Sequence, residues 1–419
     1  MRRACLVLVF LLGLCNATAT GAGARMTDET PLYSPFDMAG VARTWVSPGT
    51  DGSTKGQDDT WRTVPWLFYS NNPEALTPST MRPGRVAVLM RYRLLNDKPY
   101  RVYLGHTNAT DGPVQVAVVI KGLKAQGTYS LTRRSVVVSP TLQWPTWTSG
   151  GVEAARRMLG AESAVSPSPV AVTGSWTGVD QVVTLAPNQN LQAYYDLEVT
   201  GGDFVDLAVV ATPATFSPVS LMAFGLWDQA PKEAYSDANE TGHRWGVFYS
   251  RKNVELFVNL DSLPADGSRA VTDQIGHYAC RGQVNKSLDE GQDCHGWAND
   301  GWMARPYAWN NPAWGKTPGY LYGNFGTLYQ YTVHFTGANA DARGALLLGP
   351  NANSETPRPW GLALRQSDGS TKGLTMEKDW GTQAWLVARA VTPGSSVTFD
   401  VMVPGNVDLP YLLYALRYT

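Results

Sequence analysis

What most constrains the fold of this chain is a succession of short apolar runs punctuated by turn residues. The runs at 86–90, 100–104, 114–120, 135–138, 181–185, 191–199, 205–210, 254–260, 328–335, 345–348, 385–388, 397–403 and 411–416 are rich in Val, Leu, Ala, Tyr and Phe. Between them, Asp111-Gly112-Pro113, Gly201-Gly202, Pro393-Gly394 and Pro404-Gly405-Asn406 supply the unusual or fixed φ values that turns need. Val397-Thr398-Phe399-Asp400-Val401 alternates, which places its apolar side chains on one face of a strand. Regularly spaced strands with few helical stretches between them predict sandwiches rather than βαβ units. One segment departs from the pattern. Val152, Ala155, Met158 and Leu159 stand at helical spacing, so residues 152–159 read as a short helix capping a sandwich edge. The expected fold is all-β: two tandem antiparallel β-sandwich domains with one short helix.

The chain also repeats itself weakly. Tyr103-Leu-Gly-His106, followed by a polar stretch and a strand, matches Tyr331-Thr-Val-His334 and its sequel. Farther on, Pro187 to Leu191 and the strand after it match Pro393 to Val397 and theirs, which points to a duplicated sandwich. A polar, patternless stretch at 231–242 marks the boundary, giving domains at 25–235 and 236–419. Asp-Gly-Ser-Thr-Lys-Gly occurs at 51–56 and again at 368–373, and reads as two surface hairpin turns.

Composition narrows the class. The length of 419 residues suits two or three domains. Only 16% of residues are charged, against a usual ~25%. With 34 basic and 35 acidic residues the formal charge is −1, which argues against a disordered polyelectrolyte and against holding nucleic acid by bulk charge. A surface wetted by Ser, Thr, Asn and Gln suits secreted β-proteins.

Met1-Arg2-Arg3, an apolar run at 6–14 and the small-residue sites Ala17-Thr18-Ala19 and Ala22-Gly23-Ala24 read as a secretory signal peptide over residues 1–24. That run is too short for a transmembrane anchor, and Leu14 before Cys15 is a poor lipidation context. Cys5 and Cys15 would leave with the signal. Cys280 and Cys294 remain, and in an oxidising compartment they read as a disulfide around a polar loop, worth about 3 kcal/mol in the chain-entropy model. The rival, a metal site with His277 and His295, matches no structural zinc spacing. No metal and no cofactor are expected.

For function, the segment 297–331 stands out. It holds Trp302, Tyr307, Trp309, Trp314 and Tyr320 among Asn299, Asp300, Arg305, Asn310 and Asn311. Aromatic faces with amides and charged groups beside them suit sugar rings, whose C–H faces stack while their hydroxyls take hydrogen bonds. The competing reading is that the rings cover a sandwich edge. Asp51, Asp58 and Asp59 lack the calcium-loop spacing and read as a solvated turn. Asp289, Glu290 and Asp293 could pair for glycoside hydrolysis, but sequence proximity alone does not establish that geometry. His106 and His334 read as structural, bonding strand-end carbonyls. Sequons at Asn108, Asn239 and Asn285 would carry glycans in a eukaryotic secretory pathway.

Tyr92-Arg-Leu-Leu-Asn96, Tyr100 to Asn108, Leu185 to Asn188, His243 to Phe248, Gly323-Asn-Phe-Gly-Thr-Leu-Tyr329 and Val391 to Gly394, in that order, resemble a group of secreted bacterial proteins. That group often carries a copper-amine-oxidase-like N-terminal stalk domain; no stalk is read in this chain. The resemblance implies secretion, tandem β-sandwiches and a cell-envelope setting, and it brings no catalytic residues. The expected role is a binding module for polysaccharide or another envelope component. The alternatives are a polysaccharide hydrolase or lyase, and a structural or assembly protein of the envelope.

Overall fold

A computed structural model describes residues 26–45, 54–56, 65–71, 73–95, 98–122, 127–140, 146–201, 204–230, 245–249, 251–275, 326–350, 360–376, 382–404 and 411–419. In chain order an N-terminal arm comes first, with β1 (Pro35–Asp37), β2 (Ala42–Trp45) and β3 (Thr54–Gly56). Next are β4 (Trp66–Ser70), β5 (Ala75–Leu76), β6 (Val86–Leu95), β7 (Lys98–Asn108), β8 (Val114–Gly122) and β9 (Thr128–Ser139). The helix α1 (Thr146–Leu159) leads to β10 (Val170–Ala171), β11 (Thr177–Gly178), β12 (Val183–Leu185), β13 (Asn190–Thr200) and β14 (Phe204–Pro213). A second helix, α2 (Pro218–Ala223), precedes β15 (Trp227–Gln229) and β16 (Trp245–Tyr249). The rest is β17 (Arg251–Asn259), β18 (Arg269–Ile275), β19 (Leu328–Thr336), β20 (Arg343–Pro350), β21 (Trp360–Gln366), β22 (Thr371–Met376), β23 (Gln383–Val391), β24 (Ser396–Met402) and β25 (Tyr411–Tyr418).

These strands form four sheets in two sandwiches, an all-β architecture. The first sandwich packs the sheet β10-β9-β13-β7-β4-β16 on the sheet β11-β8-β14-β6-β15. The second packs β22-β21-β24-β19-β17-β3 on β1-β23-β20-β25-β18-β2. The two repeat one topology. The order β9-β13-β7-β4-β16 corresponds strand for strand to β21-β24-β19-β17-β3, and β8-β14-β6-β15 to β20-β25-β18-β2. The senses agree as well. Most pairs are antiparallel, but β4 with β7 and β15 with β6 run parallel, as do β17 with β19 and β18 with β2.

The N-terminal arm crosses between the sandwiches. β15 and β16 follow β14 in the chain and complete the first sandwich, whereas β1, β2 and β3, which precede β4, lie in the sheets of the second, where β2 and β3 supply the strands equivalent to β15 and β16. The expected boundary segment lies outside the described residues. The internal match holds between strands and shifts by one position within them. His106 lies opposite Leu191, and Val333 lies opposite Val397, so Val333 and not His334 occupies the position of His106.

Alternation explains the cores. Tyr329, Tyr331, Val333 and Phe335 of β19 are buried and point inward, while the residues between them are half-buried on the other face. β13 is instead buried on both faces along most of its length, because its sheet is covered on both sides.

That second cover is α1. It begins at Thr146, ahead of the expected 152–159, and it does not cap a sandwich edge: it packs between the inner sheets of the two sandwiches. Ala154, Ala155, Met158 and Leu159 join Leu67, Tyr69, Tyr103 and Tyr194 of the first sandwich and Ala363 and Met402 of the second in one buried cluster. Glycines set this close approach. A Cβ on Gly373 would stand 2.8 Å from Val152 Cγ1, and one on Gly361 would stand 2.5 Å from Val152 Cγ2. The helix end is held from both sides. Arg133 of β9 donates to Gly160 O at 2.6 Å, and Arg365 of β21 donates to Leu159 O at 3.3 Å, both favourable at a helix C-terminus. Arg101 and Asp196 face each other in a two-bond ion pair, both contacts 2.8 Å, buried in the same layer. Tyr103 stacks on Tyr69 at 4.6 Å and donates to Gln192 Oε1 at 2.6 Å, and burial pushes its hydroxyl pKa well above the usual range.

Candidate functional site

The outward face of the β17–β19–β24 sheet changes character along its length. At the helix end, Leu328 and Met402 pair in register and pack toward the first sandwich. The next row is polar: Asn253, Gln330 and Asp400 lie side by side, with Arg251 donating to Gln330 and, at 3.2 Å, to Asn253 Oδ1. Arg365 holds Asp400 Oδ2, with one contact at 2.8 Å. Beyond this the face opens. Glu255, Thr332 and Thr398 form the following row, and the two threonine hydroxyls lie 3.4 Å apart. The last row is Phe257, His334 and Ser396.

In that last row the rings of Phe257 and His334 stack, with centroids 4.7 Å apart and planes 19° from parallel. Phe257 is 36% exposed on the outward face, and His334 Nδ1 lies 2.8 Å from Ser396 Oγ. The inward neighbours Val254, Leu256, Val258, Tyr331, Val333 and Phe399 belong to the core, so packed strands fix the platform from beneath. A flat, two-ring surface ringed by hydroxyls, a carboxylate and amides can stack on the C–H face of a sugar and bond its hydroxyls at the rim.

The stacking candidates Trp302, Tyr307, Trp309, Trp314 and Tyr320 lie outside the described residues, as do Cys280 and Cys294. So do Asp51, Asp58, Asp59, Asp289, Glu290 and Asp293. The last two rings of the aromatic segment are described, and both are core: Tyr329 and Tyr331 are fully buried, with Tyr331 donating to Asp273 Oδ2 at 2.8 Å. β19 thus carries the chain out of that segment and directly across the open face.

The two histidines part company. His106 is buried, with Nδ1 donating to Pro73 O at 2.8 Å and Nε2 3.0 Å from Ser70 Oγ, the structural role expected of it. His334 lies on the outward face and bonds a side chain instead. Asn108 is no glycan acceptor in the folded chain. Its side chain is fully buried, its Nδ2 donates to Gly112 O and Leu185 O at 2.8 and 2.9 Å, and its Oδ1 accepts from Thr110 N at 2.9 Å. Of the repeated hexapeptides, 368–373 forms the hairpin between β21 and β22, with Gly369 at φ +84°, whereas Thr54–Gly56 is the edge strand β3.

No family model matches the chain, and no curated protein does. Solved structures resemble it only distantly. The PBSX exported protein XepA is 10% identical over 79% of this chain and 85% of that chain, with a TM-score of 0.17. The CUB1-EGF-CUB2 domains of rat MASP-1 are 8% identical over 82% of this chain and 99% of that one, with a TM-score of 0.16. Likeness at this level carries no functional argument. Among the described residues no helix is long and apolar enough to cross a membrane, and no three His, Cys, Asp or Glu side chains are grouped to hold a metal ion.

Proposed function

We propose that the protein is a secreted or cell-envelope β-sandwich protein that binds polysaccharide, with the open end of the β17–β19–β24 face as its contact surface. The observation that carries this reading is the exposed Phe257–His334 stack, set in register beside Glu255, Thr332, Thr398 and Ser396. The low charge fraction and the aromatic and amide residues of 297–331, which lead into β19, support the same chemistry. Trp302, Tyr307, Trp309, Trp314 and Tyr320 are further stacking candidates on sequence grounds. The signal-like N-terminus and the resemblance to secreted bacterial proteins support the exterior setting. The role in this reading is adhesion to a chain, for which aromatic stacking and hydroxyl contacts suffice.

A glycan array followed by pull-down on insoluble polysaccharides tests the reading. Retention on at least one envelope or plant glycan is expected, with loss on Phe257→Ala and on Trp309→Ala or Trp314→Ala. No retention on any glycan, or retention indifferent to all three substitutions, overturns it.

A further inference from the structure

The first sandwich carries a cleft of about 190 Å³ where its edge strand β15 is laid parallel to β6. Ser79, Thr80 and Arg82 come to it from the turn before β6, Arg85 and the backbone-buried Val86 and Ala87 from the start of that strand, and Asp228 and Gln229 from β15. By liquid volume, at about 30 Å³ per water, it holds roughly six waters, comparable to one six-membered sugar ring or a small hydroxy acid.

We propose that this cleft is a binding site for a small carboxylate that also carries hydroxyl groups, the chemical class of a uronic acid. The charge arrangement carries the assignment. Arg85 is committed to the fold: its Nε donates to Asp228 Oδ2 at 2.6 Å and its Nη2 to Trp227 O at 2.9 Å. Arg82 reaches the same Asp228 oxygen only at 3.6 Å, longer than a hydrogen bond, and its side chain is 71% exposed. Among the described lining residues one carboxylate is thus shared by two guanidiniums, which leaves a surplus of one positive charge, seated on the exposed one. A guanidinium fork of this kind takes a carboxylate through two parallel bonds.

The remaining polar groups call for donors on the ligand. Asp228 can only accept, and Gln229, whose Nε2 is anchored on Val88 O at 2.8 Å, keeps its side-chain oxygen as a second acceptor among the lining residues. Ring hydroxyls supply those donors; acetate has none. A neutral sugar offers the hydroxyls and leaves the surplus charge of Arg82 unmatched. This site is on the other sandwich from the Phe257–His334 platform, so each can fail without the other.

The test is calorimetric titration of the full chain with sodium glucuronate, glucose, sodium acetate and inorganic phosphate in about 0.15 M salt, where long-range charge effects are screened beyond about 8 Å. Glucuronate is expected to bind saturably at one site, and each of the other three at least tenfold more weakly. Arg82→Gln is expected to weaken glucuronate at least tenfold with thermal unfolding unchanged, since the side chain is largely in solvent, and Phe257→Ala to leave it unaltered. Absence of saturable glucuronate binding overturns the proposal. So does a match by glucose, which removes the charge argument, a match by acetate or phosphate, which reduces the cleft to a general anion site, or an Arg82→Gln variant that binds as the native chain does.

Discussion

Arg365 of the second sandwich and Arg133 of the first donate to adjacent carbonyls at the end of the same helix, 3.3 Å from Leu159 O and 2.6 Å from Gly160 O. Two guanidiniums from separate sandwiches thus share one helix terminus, and Arg365 also neutralises Asp400, whose side chain is 7% exposed. Asp400 Oδ1 is buried without a hydrogen-bond partner among the described residues, so Asp400 depends on this one cation. Arg365→Met should therefore destabilise the chain by about 3 kcal/mol, the usual cost of leaving a buried charge unpaired. Arg365→Met with Asp400→Leu should recover most of the loss. Urea unfolding of both variants reads it, and a double variant as unstable as the single one would contradict the role given to the pair.

Helix α1 sits where it does because Gly373 leaves room for Val152. Gly373→Ala places a Cβ 2.8 Å from Val152 Cγ1 and should cost about 1–3 kcal/mol. Val152→Ala removes the offending methyls, so the double variant should be more stable than additivity predicts. A double-mutant cycle of unfolding free energies checks this.

The same helix gives a pH dependence. Hydrogen bonds from Arg156, then Arg157, hold the Glu153 carboxyl at about 2, well below the ordinary value of 4.5. Its folded pKa lies below its unfolded one, so the unfolded chain binds the proton first as pH falls. The stabilisation is complete above about pH 5 and is lost as pH drops toward 2. Glu153→Gln should flatten that part of the acid limb, measured as unfolding midpoint against pH. Glu153 is about a third exposed, so the effect should be modest and should shrink in high salt.

Strand donation by the N-terminal arm predicts an asymmetric response to truncation. Deleting residues 26–56 strips β1, β2 and β3 from the second sandwich and leaves every strand of the first in place. Bare edges on β23, β18 and β17 should weaken the second sandwich selectively. Calorimetry should then resolve a lower-melting transition beside one close to the original; a uniform shift of a single transition would contradict the donation.

How far all this was readable in the sequence follows from the range of the interactions involved. Inward positions such as Val397, Phe399 and Val401 stood out because period-two alternation is local. The crossing of β2 and β3 to the second sandwich did not, since strands of three or four residues carry no periodicity and pair far along the chain. The first half of α1 was hidden because Gly150 and Gly151 oppose helix by intrinsic preference; packing of Gly150 against Ser139 decides there. His106 and His334 were matched by identity, whereas the side each faces equates His106 with Val333. The platform did leave a readable trace. In the run Val254-Glu-Leu-Phe257-Val258, Phe257 falls on the polar side of the alternation, and a large ring at such a position signals a working surface.

Polysaccharide binding by the open face around Phe257 and His334 is tested most directly by affinity electrophoresis of the native chain and the Phe257→Ala variant through gels containing the glycan that retains the native chain best. The native chain is expected to be retarded and Phe257→Ala, with unchanged unfolding, to lose at least tenfold in affinity, as expected for removal of a stacking ring worth about 1.4 kcal/mol or more. Equal retardation of the two proteins would contradict it.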